Sequence, residues 1–332
     1  MIRVTYFQRR ANDGFWSLER IYSDVRENLS TDIKVSVHSS RFRSQGFFRR
    51  LYNLLSATFY QGDINHVTGD VHFLTYLLRK KITILTILDC VMLSRLKGVK
   101  WWIFWFFWYW LPEKRSAVIV TISEFTRQEV LRILKCRPEK LKVVYCSVSS
   151  VFQRCDKSFN NGRPRILHIG ITENKNLERH LSALEGIACN LVIIGNLSNE
   201  QQHILNRSGI SYQNYVGLSL NEIVEQYQLC DLLLFASTYE GFGLPIIEAQ
   251  SIGRPVITSN ICSMPEVAGG AACLVDPFDV KSIRLGINRV ISDDAFRADL
   301  VANGYENAKR FSIENIALQY SKLYRGLQAT RN

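Results

Sequence analysis

The chain has 332 residues, 47% hydrophobic and 21% charged, which suits a globular protein large enough for two cores and excludes a disordered chain. Its net charge of +11 is lodged in the first half: residues 1–150 hold 24 Lys and Arg against 12 Asp and Glu, and the rest is near neutral. That half is expected to meet something anionic, whether a membrane surface, a phosphate-linked substrate or a nucleic acid. Eight dispersed cysteines without a Cys-x-x-Cys, an N-terminus unlike a signal peptide, and no apolar run of membrane-spanning length point to a cytoplasmic setting.

In chain order, Ile2 to Phe7 predicts a first strand, and Gln8 to Gly14 a polar loop before a helical pattern from Ser17 to Leu29. Ile33 to Val37 predicts a second strand. The arginines at 41, 43, 49 and 50 follow it, read as a solvated face, with phosphate or lipid contact as the sharper alternative. Asp63 to His72 reads as a strand leaving through Gly69 and carries His66 and His72; Ile82 to Ile87 is the next strand, ending near Asp89. Residues 100–115 hold five of the six tryptophans, with Arg95, Lys97 and Lys100 before them and Lys114 and Arg115 after. Pro112 is expected to limit any helix here to roughly three turns, about half a bilayer. Rings between basic flanks suit a headgroup boundary, so Trp102, Trp105, Trp108, Lys100, Lys114 and Arg115 are read as membrane-facing. An aromatic helix packed on its own sheet is the competing reading. Ala117 to Ile122 predicts a strand, Ser123 caps a helix from Glu124 to Leu134, and Leu141 to Tyr145 is the last strand of a first domain, 1–156. The polar, turn-rich stretch after it suggests a linker at 157–164.

Arg165 to Gly170 opens the second domain, 165–311, and Lys175 follows just before a helix. Leu191 to Gly195 predicts a strand, and Ser219 to Glu222 is a capping box opening a helix through Cys230. The apolar run from Asp231 to Ala236 predicts a buried strand. Ser237-Thr-Tyr-Glu-Gly-Phe-Gly-Leu-Pro245 then breaks at Gly241 and Gly243 and restarts as a helix at Pro245, closed by Gly253 and Pro255. Glu240 falls in the loop and Glu248 near the first helical turn, so both are expected to point at the crevice above the strand ends, beside the positive pole of the helix. Carboxylates next to an anion-binding pole suit a ligand with hydroxyls and phosphates. A nucleotide sugar is such a ligand. A helix from Asp279 to about Ile291 and a terminal helix over 312–330 complete the pattern.

Glu240-Gly-Phe-Gly-Leu-Pro-Ile-Ile-Glu248, followed by Gly253-Arg-Pro-Val-Ile-Thr, Met264-Pro-Glu-Val-Ala-Gly269 and Leu274-Val-Asp-Pro277, resembles the signature of retaining glycosyltransferases of the GT-B fold. The match is to glycosyltransferase family 4, including its bacterial mannosyltransferases. The resemblance implies an α/β chain of two doubly wound, Rossmann-like parallel-sheet domains facing a cleft, with a terminal helix crossing back to the first. It implies a catalytic set of Glu240 on the donor sugar, Lys175 on the diphosphate and His66 at the cleft. Glu248 would bond the ribose, and Gly170, Phe242, Gly243 and Leu244 would line the donor site. Val216 lies where the family packs the base, and Gly14 in the loop that usually meets the donor phosphates. Asp89 and His72 are further cleft candidates. Leu88 stands where many members carry a histidine, and Ile171 and Thr172 where a companion arginine usually falls. Lys175 and the amides near Gly170 and Gly243 are then left to carry the leaving-group charge. No Asp-x-Asp occurs, so the reaction is expected to be metal-independent and without a cofactor, the nucleotide sugar being a substrate.

The expected activity is transfer of a hexosyl group, mannosyl from GDP-mannose, to a lipid-linked saccharide in O-antigen, lipopolysaccharide or capsule assembly. The enzyme would work on the inner face of the cytoplasmic membrane, with an anionic membrane surface and no nucleic acid as partner. The alternatives are a GT-B sugar-nucleotide epimerase and a basic nucleic-acid-binding protein.

Overall fold

The computed structural model describes residues 1–10 and 17–330. The chain divides into two compact units, one formed by residues 1–147 together with the segment from Ile313 onward, the other by Val148–Ser312.

In the first unit six parallel strands run β1 (Ile2–Gln8), β2 (Ile33–Ser39), β3 (Ile64–Val67), β4 (Thr83–Ile87), β5 (Val118–Thr121) and β6 (Leu141–Val143), in the spatial order β2-β1-β3-β4-β5-β6. The central strands β3 and β4 are buried at every position, as expected of a parallel sheet covered on both faces. The helix Ile313–Ala329 belongs to this sheet. Its Ile316, Tyr320 and Tyr324 pack with Val4, Tyr6, Ile64 and Ile84, and Arg325 forms a two-pronged pair with Asp32. A helix Phe47–Ala57 also forms where only a basic stretch was expected.

The aromatic run departs from expectation. Helical structure continues from Gly98 through Lys114, passing Pro112, because residues Phe106–Trp110 widen into a π-helical turn. Proline has no N–H to give the carbonyls one turn behind it. Here those acceptors are served from another segment: His72 Nδ1–H donates to the Trp108 carbonyl at 2.7 Å, and the Tyr76 hydroxyl donates to the Phe107 carbonyl. The proline therefore does not end the helix.

The second unit is a second six-stranded parallel sheet: β7 (Arg165–Ile169), β8 (Asn190–Ile194), β9 (Ser211–Tyr215), β10 (Leu232–Phe235), β11 (Val256–Ser259) and β12 (Cys273–Val275), ordered β12-β11-β10-β7-β8-β9. Its core gathers Ile166, Leu191, Ile193, Leu232, Leu234 and Ile257 with the helices Leu177–Leu184 and Val280–Ser292. Residues 157–164, expected as a linker, lie within this unit. The buried Asp231 carboxylate holds them, accepting from Lys157 Nζ, Asn160 N and Arg165 N. A buried carboxylate with several donors is well compensated, so the stretch is anchored despite its polar composition.

Candidate functional site

Chain order reverses between β7 and β10: from β7 the sheet grows one way through β8 and β9, and from β10 the other way through β11 and β12. In open α/β sheets such a switch point, at the carboxyl ends of the strands, is where ligands bind. The two loops leaving it are residues 170–176 after β7 and 236–243 after β10.

These loops are sewn together. Thr238 N donates to the Asn174 carbonyl at 2.8 Å and Asn174 Nδ2 to the Tyr239 carbonyl at 3.0 Å. Asn176, in the left-handed conformation at φ 63°, donates to the carbonyls of Ala236 and Pro277. Ser263 Oγ reaches the carbonyls of Glu240 and Phe242 at 2.9 and 2.8 Å. On this frame Lys175 Nζ meets Glu240 Oε1 at 2.6 Å and lies over the Phe235 ring, 4.7 Å from its centroid. Both side chains keep some exposure, 20% for Lys175 and 14% for Glu240.

The two glycines of the site have distinct reasons to be glycine. Gly170 has φ +88°, and a Cβ there would meet the Lys175 side chain at 2.9 Å, so the lysine stem runs over a bare backbone. Gly243, at φ +105°, precedes the helix Leu244–Ile252, with Pro245 in its first turn and Gly253 closing it. That helix presents its N-terminal amides at the same loop. Phe242 is buried against Phe311, and Leu244 is half-buried beside it in sequence.

Glu248 sits one turn deeper than expected, 8% exposed, with Oε2 accepting from the Tyr227 hydroxyl at 2.7 Å. Val216 is 58% exposed after β9. Below the loops, the buried His168 donates Nε2–H to the Gly170 carbonyl at 2.8 Å, and its Nδ1 lies 3.0 Å from Nδ1 of His180. Burial pulls His168 down to about 4 and His180 well below its usual value.

The remaining candidates lie in the first unit. His66 requires a correction: it is fully buried, with Nδ1 2.7 Å from the Tyr324 hydroxyl and Nε2 2.8 Å from Thr86 Oγ1. Burial, with the nearby charge of Arg26, pulls its pKa down to about 3. Both ring nitrogens are spent joining β3 to β4 and the terminal helix, so this residue holds structure together. His72 serves the Trp108 carbonyl, and Asp89 Oδ1 accepts from Val91 N at the start of a short helix. Of the six membrane-facing candidates, Trp102 is 61% exposed and Lys100 is exposed. Lys114 is exposed but paired with Glu113. Trp105, Trp108 and Arg115 instead turn inward: Trp105 Nε1 donates to the Ile133 carbonyl, Trp108 stacks on Phe104, and Arg115 bonds the Leu78 carbonyl. Gly14 lies outside the described residues.

Sequence reasoning missed Asn174, Asn176, Ser263 and Tyr227, the residues that hold the loops and Glu248. The Asn-Lys-Asn at 174–176 was the available signal, since asparagine tolerates the left-handed conformation and bonds nearby backbone.

Residues 152–307 match the family model described as Glycosyl transferases group 1. O-antigen chain mannosyltransferase B of Escherichia coli is 30% identical over 236 residues, 63% of this chain and 61% of that protein. The likeness to glycosyl transferases group 1 is carried by the second unit, within which the matched residues lie. Two solved structures share the fold along nearly the whole length of this chain. Sucrose-phosphate synthase from Thermosynechococcus elongatus has a TM-score of 0.79 at 16% identity, covering 99% of this chain and 100% of that one. HepE of Anabaena, solved in complex with UDP and glucose, has a TM-score of 0.78 at 15% identity, covering 98% and 100%. The fold is GT-B. The chain spans less than two thirds of the length of the curated mannosyltransferases it matches first.

Proposed function

We propose that this protein is a retaining hexosyltransferase, moving mannose from GDP-mannose to a saccharide hydroxyl. The observation that carries the reading is the Lys175–Glu240 pair at the switch point, beside the backbone of Gly170 and the helix that starts after Gly243. A nucleoside diphosphate sugar offers hydroxyls for the carboxylate and phosphates for the cation and amides. Lys175 then stabilises the departing diphosphate, joined by the positive pole of the helix Leu244–Ile252. Glu240 bonds the donor sugar, and Glu248, oriented by Tyr227, bonds the ribose. Because this chain's own lysine and amides meet the leaving group, the reaction runs without a divalent metal. The mannosyl assignment is supported by the likeness to an O-antigen chain mannosyltransferase. Its acceptor is a lipid-linked saccharide in surface-polysaccharide assembly, met at the inner face of the cytoplasmic membrane.

The test is a donor panel of GDP, UDP and dTDP sugars, followed by hydrolysis and by transfer to a saccharide acceptor, with and without EDTA. GDP-mannose turnover with an α-linked product, unaffected by EDTA, is expected. Conversion of the donor sugar to an epimer without acceptor would replace the transferase reading with an epimerase, and activity lost with EDTA and restored by Mn²⁺ would remove the metal-free one.

A further inference from the structure

Two helices of the first unit carry a stripe of apolar residues on the outside. In Phe47–Ala57 the buried residues are Asn53 and Ala57, and Asn53 is held in place by both backbone atoms of Phe42. Phe48 is 81% exposed, and Phe47, Leu51, Tyr52 and Leu55 are exposed with it, followed by Phe59 and Tyr60. Positions 48, 51, 52, 55 and 59 follow the three-and-four spacing of one helical face. The polarity is inverted: the asparagine points in and the rings point out.

The second helix repeats the pattern. Along the run from Gly98, the exposed apolar residues are Val99, Trp102, Ile103, Phe106 and Phe107, again one face, while Trp105, Trp108 and Tyr109 pack inward. The two helices are tied to each other: the Arg50 guanidinium lies 4.8 Å over the Trp108 ring, and both helices rest on the turn that carries His72 and Tyr76.

Charge says what covers this face. Stretches 33–62 and 90–112 contain no acidic residue. Around the two stripes stand the exposed Arg41, Arg43, Arg49, Arg95, Lys97 and Lys100. Protein interfaces enrich aromatic residues and arginine but deplete lysine, so the rings alone do not name the occupant. A ring of cations around an apolar face instead matches an anionic bilayer, where rings enter the acyl boundary and cations stay at the headgroups. No helix among the described residues is long and apolar enough to cross a membrane, so these would lie in the interface plane.

We infer that the outward faces of Phe47–Ala57 and of the helix beginning at Gly98 form one docking surface for an anionic lipid bilayer. The surface includes a helix that sequence patterning did not reveal, and it leaves out Trp105, Trp108 and Arg115. It gives physical form to the lipid-linked acceptor of the proposed function, yet it stands on its own observations.

The experiment is sedimentation with phosphatidylcholine vesicles, with and without phosphatidylglycerol, at low and high salt. It compares the wild type with two variants, Phe48→Ser with Phe59→Ser and Phe107→Ser, and Arg43→Glu with Arg49→Glu and Lys100→Glu. All substituted side chains are exposed, and circular dichroism and vesicle-free donor hydrolysis confirm that each variant remains folded. Wild type is expected to bind the anionic vesicles, less so at high salt as screening shortens. Each triple variant should lose about tenfold or more in partitioning. Brominated lipid should quench part of the tryptophan emission in wild type, and Trp102→Phe should remove that quenching. Equal binding to neutral and anionic vesicles, no binding at all, or a dimer that the serine variant dissolves would each overturn the inference, the last by showing a second copy as the occupant. Donor hydrolysis without vesicles separates the two proposals: docking can fail while transfer stands, and transfer can fail while docking stands.

Discussion

Lys175 Nζ lies 2.6 Å from Glu240 Oε1, so the cation and the carboxylate of the switch-point loops are each other's partner before a donor arrives. In the proposed function a donor enters this pair, giving hydroxyls to one and phosphate oxygens to the other. The ion pair therefore holds both side chains near their working positions without being the working arrangement.

Lys175→Ala is expected to lower kcat by roughly a hundredfold or more, the scale of losing one preorganised charge stabiliser. Glu240→Gln alone should also lower it, and the double variant should cost less than the two added together, because each single change strands the other charge. Steady-state kinetics of the three variants checks this; strictly additive losses would mean that the pair does not act as a unit.

Glu248→Gln is expected to weaken donor binding by about 1.5–3 kcal/mol, the value of a hydrogen bond to a charged group, with the fold intact. Tyr227→Phe removes the hydroxyl that holds Oε2 and should weaken binding in the same direction but by less. Calorimetric titration with the nucleoside diphosphate measures both, and unchanged affinity in the glutamine variant would take Glu248 out of the site.

Gly170→Ala places a methyl group 2.9 Å from the Lys175 stem on a backbone at φ +88°. Conformational strain alone should cost about 1–2 kcal/mol of stability. Gly209→Ala, at φ +69° with nothing near its Cβ, is the control that carries strain without displacing a side chain. Both variants should melt earlier, and only the first should lose turnover. Equal activity in the two would show that the close approach to Lys175 is immaterial.

Stability should fall with acid before the carboxylates titrate. His66 at about 3 and His168 at about 4 stay neutral in the fold, while the unfolded chain takes up their protons near 6.5. The unfolded state thus binds more protons below pH 6.5, so the contribution is complete above that value and is lost as pH drops toward the folded values. Each histidine can contribute up to about 1.4 kcal/mol per pH unit in that window. Urea midpoints between pH 7 and 5 test it; a flat profile would show that the histidines are not held neutral.

The strands were legible because apolar runs such as Ile82 to Ile87 and Asp231 to Ala236 can only be buried, and the loop positions of Glu240 and Lys175 were legible because glycines and helix starts surround them. The helix Phe47–Ala57 was not, because most of its apolar residues face out while Asn53 faces in beside Leu54 and Ala57, so its composition argues against its placement. Pro112 misled for a different reason: the carbonyls it cannot serve are capped by His72 and Tyr76, more than thirty residues earlier in the chain. His66 looked like a site histidine by position in the motif, and only its contacts with Thr86 and Tyr324 reveal a joint in the core.

The tyrosine at 324 has a consequence for how the chain is made. The first sheet needs it: the Tyr6 and Tyr324 hydroxyls meet at 2.5 Å in the core, beside His66. On the ribosome the strands of that sheet emerge first but wait for this partner until all of Val148–Ser312 has followed, an interval of roughly ten to thirty seconds at ordinary elongation rates. The second unit is continuous in sequence and has no such delay. Assembly should therefore run against the order of synthesis, the later unit closing while the earlier one is still open.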